Sequence, residues 1–407
     1  ERSSSQYIVG HLAPTDDPHM LGRLGVYEIA GVIGAGGMGV VLKGFDRALN
    51  RPVAIKLLAP HLAAGGAARR RFSREAQAAA AVVHDNVVAI HGVSEAQGLP
   101  FLVMPYIRGE SLQKRIDERG PLEVREVLRI GHQIAAGLAA AHAQGLVHRD
   151  IKPANILIEE GTERLHITDF GLARAAADAD LTGSGILAGT PQYMSPEQAR
   201  GEGVDARSDL FSLGSLLYAT CTGRSPFRAE TSYGVLRRII DTQPRPIREI
   251  NPDVPPWLTA IIGKLQAKNS ADRWTSADEV AELLGQCLGH LQQPDGIALP
   301  ARVTALTPKQ PDRLVWRWAV VVVAAAVCLS LVVVYFAIGT SRPPPDAVAV
   351  PWPPPSTSQQ TPSPDSSMTE LPAFDDDIPD RIQALRGAIE ELDSHTIDPA
   401  LDSRAQP

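Results

Sequence analysis

Residues 34–39 read GAGGMG, three glycines at Gly-x-Gly-x-x-Gly spacing. Gly34, Gly36 and Gly39 carry no side chain, so backbone N–H groups there can come close to a phosphate. Two arrangements use this spacing. One rests a dinucleotide's pyrophosphate on a helix N-terminus; the other drapes a β-hairpin over a nucleotide. The first needs a helix directly after the third glycine and an acidic side chain about 20 residues on, for the ribose. Here Gly39 is followed by VVLKGFDRALNRPVAIKLL, which has β-branched alternation, a turn at RALNRP and a second strand carrying Lys56. That context favours the hairpin, with the Lys56 ammonium placed to pair with phosphate. A glycine cluster that is only a turn, beside an ordinary strand, stays open from this segment alone.

The elements around the loop divide the chain. YEIAGVI, VVLKGFD, PVAIKLL, NVVAIHGV and PFLVMPYI read as short strands. Long helical patterns follow, including Val124 to Gln144 and Arg207 to Cys221. A strand-rich start and a helix-rich remainder predict an α+β chain with two lobes of different class. The folded body is expected over residues 27–284, as a β-rich lobe (27–106) and a helical lobe (107–284), between a leader (1–26) and a linker (285–313).

Three further motifs carry a family likeness. Residues 147–157 read VHRDIKPANIL, 168–174 read TDFGLAR and 189–197 read GTPQYMSPE. With the glycine loop and the VAIK of Lys56, in this order and spacing, the chain resembles the protein kinases, specifically the bacterial eukaryotic-like (Hanks-type) Ser/Thr kinases with a membrane anchor. The resemblance spans 27–284 and implies the bilobal kinase fold, ATP as substrate, Mg²⁺ or Mn²⁺ as cofactor, and transfer of the γ-phosphoryl group to protein Ser/Thr hydroxyls.

Residue by residue, the resemblance implies that Ile33, Gly34, Gly36, Gly39, Val41 and Ala54 enclose the nucleotide. Lys56 would pair with its α- and β-phosphates and with Glu75 of RFSREAQAAAA. Met104 would gate the pocket behind adenine, and Ile107 would offer a backbone N–H. Pro105 stands where the family usually has glutamate, but proline keeps the C=O that this position uses. Asp150 would orient or accept the proton of the substrate hydroxyl, and Lys152 would offset charge on the moving phosphoryl group. Asn155 and Asp169 would be hard-oxygen metal ligands. His148 and Phe170 would hold two motifs in register, Glu197 would pair with Arg273, and Asp209 would support the catalytic loop. Thr190 would help select Ser/Thr substrates. Arg149 beside Asp150 implies activation by a phosphorylated loop, with Thr182 and Ser184 as autophosphorylation candidates; the alternative is that both are plain loop residues. An ATP-binding scaffold without turnover is the competing reading, and Pro105 is the one oddity near the nucleotide.

Composition sets outer limits. Residues 339–407 hold 12 acidic and 4 basic side chains, which leaves the remainder almost neutral and gives no electrostatic reason to propose a nucleic-acid partner. Cys221, Cys287 and Cys328 have no metal-ligand spacing and fit a reducing compartment. Trp318 to Ile338 is 21 residues without a charge, within a predicted transmembrane helix over 314–338. Arg302, Lys309, Arg313 and Arg317 precede it and only Arg342 follows closely, which puts the N-terminal side in the cytoplasm and the chain in a bacterial inner membrane as a single-pass protein. Beyond it, residues 343–364 carry nine prolines in 22 positions, the start of a largely disordered tail over 339–407. Ile378, Ile382, Leu385, Ile389 and Leu392 follow at helical spacing, either a short homodimer contact or a marginal helix that docks nowhere.

Overall fold

Apolar runs in the first hundred residues pair into one antiparallel sheet. The computed structural model describes residues 7–36, 39–170, 191–306 and Ser330. Its first strands are β1 (Gly22–Leu24), β2 (Tyr27–Gly36), β3 (Gly39–Asp46) and β4 (Arg51–Leu58). Helix α1 (Gly66–Ala80) follows, then β5 (Gly92–Ala96) and β6 (Leu99–Pro105), and the sheet order is β1-β2-β3-β4-β6-β5. Helices of two turns or more are numbered.

Register decides what each face of this sheet carries. Leu42 sits opposite Ile55 and Val40 opposite Leu57, and all four are fully buried in a cluster with Phe72 and Ala76 of α1. The intervening residues must point the other way, because side chains alternate along a strand. Val41 pairs with Lys56 and Ala54 with Met104, so these four share the opposite face.

Two segments differ from the sequence expectation. NVVAIHGV is not one strand: only its end enters β5, while Val88 N–H donates to the Ile167 carbonyl at 3.0 Å and Ile167 N–H to that of Asn86 at 2.9 Å. The buried Asn86 amide, bonded to Gln133 and to the Leu165 carbonyl, holds this stretch on the second lobe, where it cannot continue the sheet. Within the 1–26 leader, residues 7–24 pack on the first lobe. Ile8 is 1% exposed in its core, Ala13 bridges Arg23, and Thr15 donates to Glu28 at 2.6 Å.

The second lobe starts with β7 (Gly109–Ser111), α2 (Leu112–Arg119) and α3 (Val124–Ala143), then β8 (Ile156–Glu159) and β9 (Leu165–Ile167), which complete a sheet ordered β7-β8-β9. Helices α4 (Ala206–Thr222), α5 (Ser232–Asp241), α6 (Pro256–Leu265) and α7 (Ala277–Gln292) are the longer elements of the remainder. Helix α4 is buried along almost its whole length, and its buried hydroxyls are hydrogen-bonded, as with Ser208 to Glu197 and Thr220 to the Leu217 carbonyl. Ordered structure continues into the 285–313 linker, where Val303 of the short helix Ala301–Leu306 is fully buried in the second-lobe core. Among the described residues no helix is long and apolar enough to cross a membrane. The predicted span 314–338, apart from Ser330, and the 339–407 tail lie outside them.

Candidate active site

A buried carboxylate organises the second lobe's share of the site. Asp209, in the first turn of α4, is 0% exposed and has to be satisfied internally. Its Oδ2 accepts from the His148 backbone N–H and His142 Nε2, both at 2.8 Å, and its Oδ1 from the Arg149 N–H at 2.7 Å. Arg149 sits at φ 69°, a left-handed conformation that costs a non-glycine residue about 1–3 kcal/mol unless its surroundings hold it. The two amides bound by Asp209 supply part of that hold.

The loop so fixed presents the polar residues expected from sequence. Asp150 Oδ2 accepts from Lys152 Nζ at 2.7 Å and from Asn155 Nδ2 at 3.0 Å. Asn155 Nδ2 also donates to the Asp150 carbonyl at 2.8 Å, which turns its amide oxygen to the other side. His148 joins this loop to the next motif. Its Nδ1 accepts from the Asp150 N–H at 3.2 Å, its Nε2 faces the Thr168 carbonyl at 2.8 Å, and its ring packs on Phe170 at 4.5 Å. Asp169 follows at φ 66°.

Across the lobes, Lys56 Nζ lies 2.7 Å from Asp169 Oδ1. Burial alone would raise the Asp169 pKa, but the charge and hydrogen bond of Lys56 outweigh it and hold the carboxyl below its usual range. The expected Lys56–Glu75 pair is not formed in this conformation. Lys56 is 6% exposed and needs a countercharge, and Asp169 supplies it. Glu75 lies half-buried on α1.

On the first lobe, Val41, Ala54, Lys56 and Met104 line one face, with half-buried Pro105 and Ile107 at the end of β6. Ile33 is half exposed beside the glycine hairpin, which closes with Gly36 opposite Gly39. A side chain at Gly39 would strike the Leu57 carbonyl, its Cβ only 1.9 Å away, so the fold itself demands glycine there. At Gly34 and Gly36 a Cβ would meet nothing within 4 Å, so packing leaves both free for a ligand's approach. Thr182, Ser184 and Thr190 lie outside the described residues.

A family model for the protein kinase domain matches residues 27–286. The chain belongs to the protein kinase family. The chain is 38% identical over 292 residues to the serine/threonine-protein kinase PknB of Mycolicibacterium smegmatis, covering 70% of this chain and 47% of that protein. It is likewise 38% identical over 256 residues to PrkC of Bacillus subtilis, covering 63% and 39%. The crystal structure of the Mycobacterium tuberculosis PknI kinase domain aligns at TM-score 0.53 and 28% identity, covering 65% of this chain and 97% of that one. The chain spans less than half the length of the curated relatives it matches.

One ion pair, one arginine set among three glutamates and one histidine complete the kinase domain's frame. Glu197 and Arg273 pair bidentately at 2.6 and 2.8 Å, and Ser208 donates to Glu197 Oε1 at 2.5 Å. Arg115 is buried among Glu110, Glu126 and Glu163, linking α2, α3 and the β8–β9 turn. His142 was not singled out from sequence; its one signal is its position six residues before His148, on the last turn of α3.

Burial raises the Glu197 pKa, but the Arg273 and Ser208 hydrogen bonds outweigh it and bring it down to about 2 from 4.5. A folded-state pKa below the unfolded one gives stability that is complete above pH 4.5 and lost as pH falls towards 2. Urea titrations across that window should show Glu197→Gln losing less stability on acidification than the wild type. Parallel losses would remove Glu197 as the source.

Proposed function

We propose that the chain is an active Ser/Thr protein kinase, carrying the γ-phosphoryl group of ATP to protein Ser/Thr hydroxyls. The observation that carries this reading is the Asp150 carboxylate, bonded to Lys152 and Asn155 on a loop whose backbone Asp209 holds. The substrate hydroxyl oxygen attacks the γ-phosphorus and the bond to the bridging oxygen breaks, its electron pair leaving with ADP. The hydroxyl proton goes to Asp150, while Lys152 offsets charge on the transferring group.

Asn155 and Asp169 offer the hard oxygens that Mg²⁺ or Mn²⁺ prefers, and a charged Asp169 suits a cation. When bound, the cation neutralises phosphate charge. Gly34, Gly36, Val41, Ala54, Met104 and Ile107 would enclose the nucleotide, with Ile33 at the mouth. Turnover requires Asp169 to release Lys56 to the α- and β-phosphates, and Glu75 is the carboxylate we assign to Lys56 in that state. Thr182 and Ser184 are proposed autophosphorylation sites, and Thr190 a substrate-selecting residue.

Residues 27–284 are proposed as the catalytic body, held at a bacterial inner membrane by the 314–338 span with the 339–407 tail outside and a homodimer contact over 378–392. The support is the uncharged 21-residue run and the basic residues before it.

With labelled ATP, Mg²⁺ and a generic Ser/Thr acceptor, Asp150→Asn should lower transfer by about 10²–10⁴-fold while leaving ATP-induced thermal stabilisation in place. Equal transfer by both proteins would sink the mechanism, and no transfer by the wild type would leave the scaffold reading. For the anchor, the full chain should stay in the membrane pellet after alkaline carbonate, and deletion of 314–338 should release it. Release of the full chain would refute the span.

A further inference from the structure

Gln198 has no part in the chemistry proposed for Asp150, yet its side chain joins two segments that the reaction needs. It lies in the short helix Pro196–Arg200, where its Oε1 accepts from the Ser195 backbone N–H at 3.1 Å and the Ser195 hydroxyl at 3.2 Å. Ser195 Oγ accepts in return from the Gln198 N–H at 3.3 Å, which closes a capping box. The other end of the amide does different work: Nε2 donates to the Arg149 carbonyl at 2.8 Å. A backbone N–H at one end and a carbonyl at the other fix the amide's orientation.

Arg149 is the residue before Asp150, and it is held in a left-handed conformation. Asp209 grips its N–H and Gln198 its C=O, so the two polar groups of this strained residue are clamped from different elements. That carbonyl belongs to the peptide plane joining Arg149 to Asp150. Gln198 stands on a rigid base, because the neighbouring Glu197 is tied to Arg273 and Ser208. We propose that Gln198 is a positioning residue that sets this peptide plane and so aims the Asp150 carboxylate. It thereby couples Asp150 to the ordering of residues 191–197. The proposal rests on the kinase reading.

Two substitutions separate this role from capping. Gln198→Glu keeps the accepting oxygen, and glutamate is a usual residue at this capping position, but it loses the donor to Arg149. Ser195→Ala breaks the cap and leaves the donor. In the whole chain, Gln198→Glu should lower the urea midpoint no more than Ser195→Ala does, while its kcat alone falls about tenfold, the order of one hydrogen bond. Its KM for ATP should stay within about twofold, since ground-state nucleotide binding is untouched. Amide exchange over 148–150 should quicken. Ser195→Ala should lower the urea midpoint and keep kcat and exchange. Wild-type kcat and exchange in Gln198→Glu, or a kcat that only tracks the urea midpoint in both variants, overturns the proposal and leaves the kinase reading standing. If the wild type transfers no phosphate the kinase reading fails, and unchanged exchange in Gln198→Glu then overturns the Gln198 coupling separately.

Discussion

Taking the Asp209 carboxylate out of water is costly, and the structure offsets that cost with two backbone amides and one imidazole. Those partners are the ones that matter for the site. By gripping the N–H groups of His148 and Arg149, Asp209 sets the conformation of the residues just before Asp150. His148 then reaches Thr168, and the loop and the Asp169 segment become one hydrogen-bonded unit. Lys152 and Asn155 complete the arrangement from inside the loop. A position on α4 thus determines where a carboxylate on a distant stretch of chain can act, because a buried charge tolerates few geometries.

The first lobe adds its share through sheet register. Val41, Ala54, Lys56 and Met104 share a face because of the pairings of β3 with β4 and β4 with β6, and a one-residue slip would send all four into the core. The two lobes meet at Lys56 and Asp169. That pair satisfies a nearly buried ammonium, and it engages two groups that phosphate and metal would claim during turnover.

Much of this was legible in the sequence, for identifiable reasons. The glycine hairpin, the strand bearing Lys56, and the helices around Val124 and Arg207 follow from period and turn chemistry, which are local properties. The roles proposed for Asp150, Asn155 and Asp169 rest on family likeness, since their isolated residue types allow plain turns and caps. What could not be read was partner choice. Whether Lys56 takes Glu75 or Asp169 depends on how the lobes are disposed, and no spacing encodes that. Asn86 held on the second lobe, the packing of Ile8 and Val303, and the contacts of His142 and Gln198 likewise depend on residues far away in sequence.

We propose that a reaction at Asp150 depends on the hydrogen bonds made by buried Asp209. Steady-state phosphoryl transfer by Asp209→Asn tests it most directly, because asparagine keeps the volume and sets an N–H₂ group against one of the donors. Its kcat should be lower by about a hundredfold or more, the scale of a misplaced catalytic group, with ATP still bound. A folded Asp209→Asn protein with wild-type kcat would contradict it.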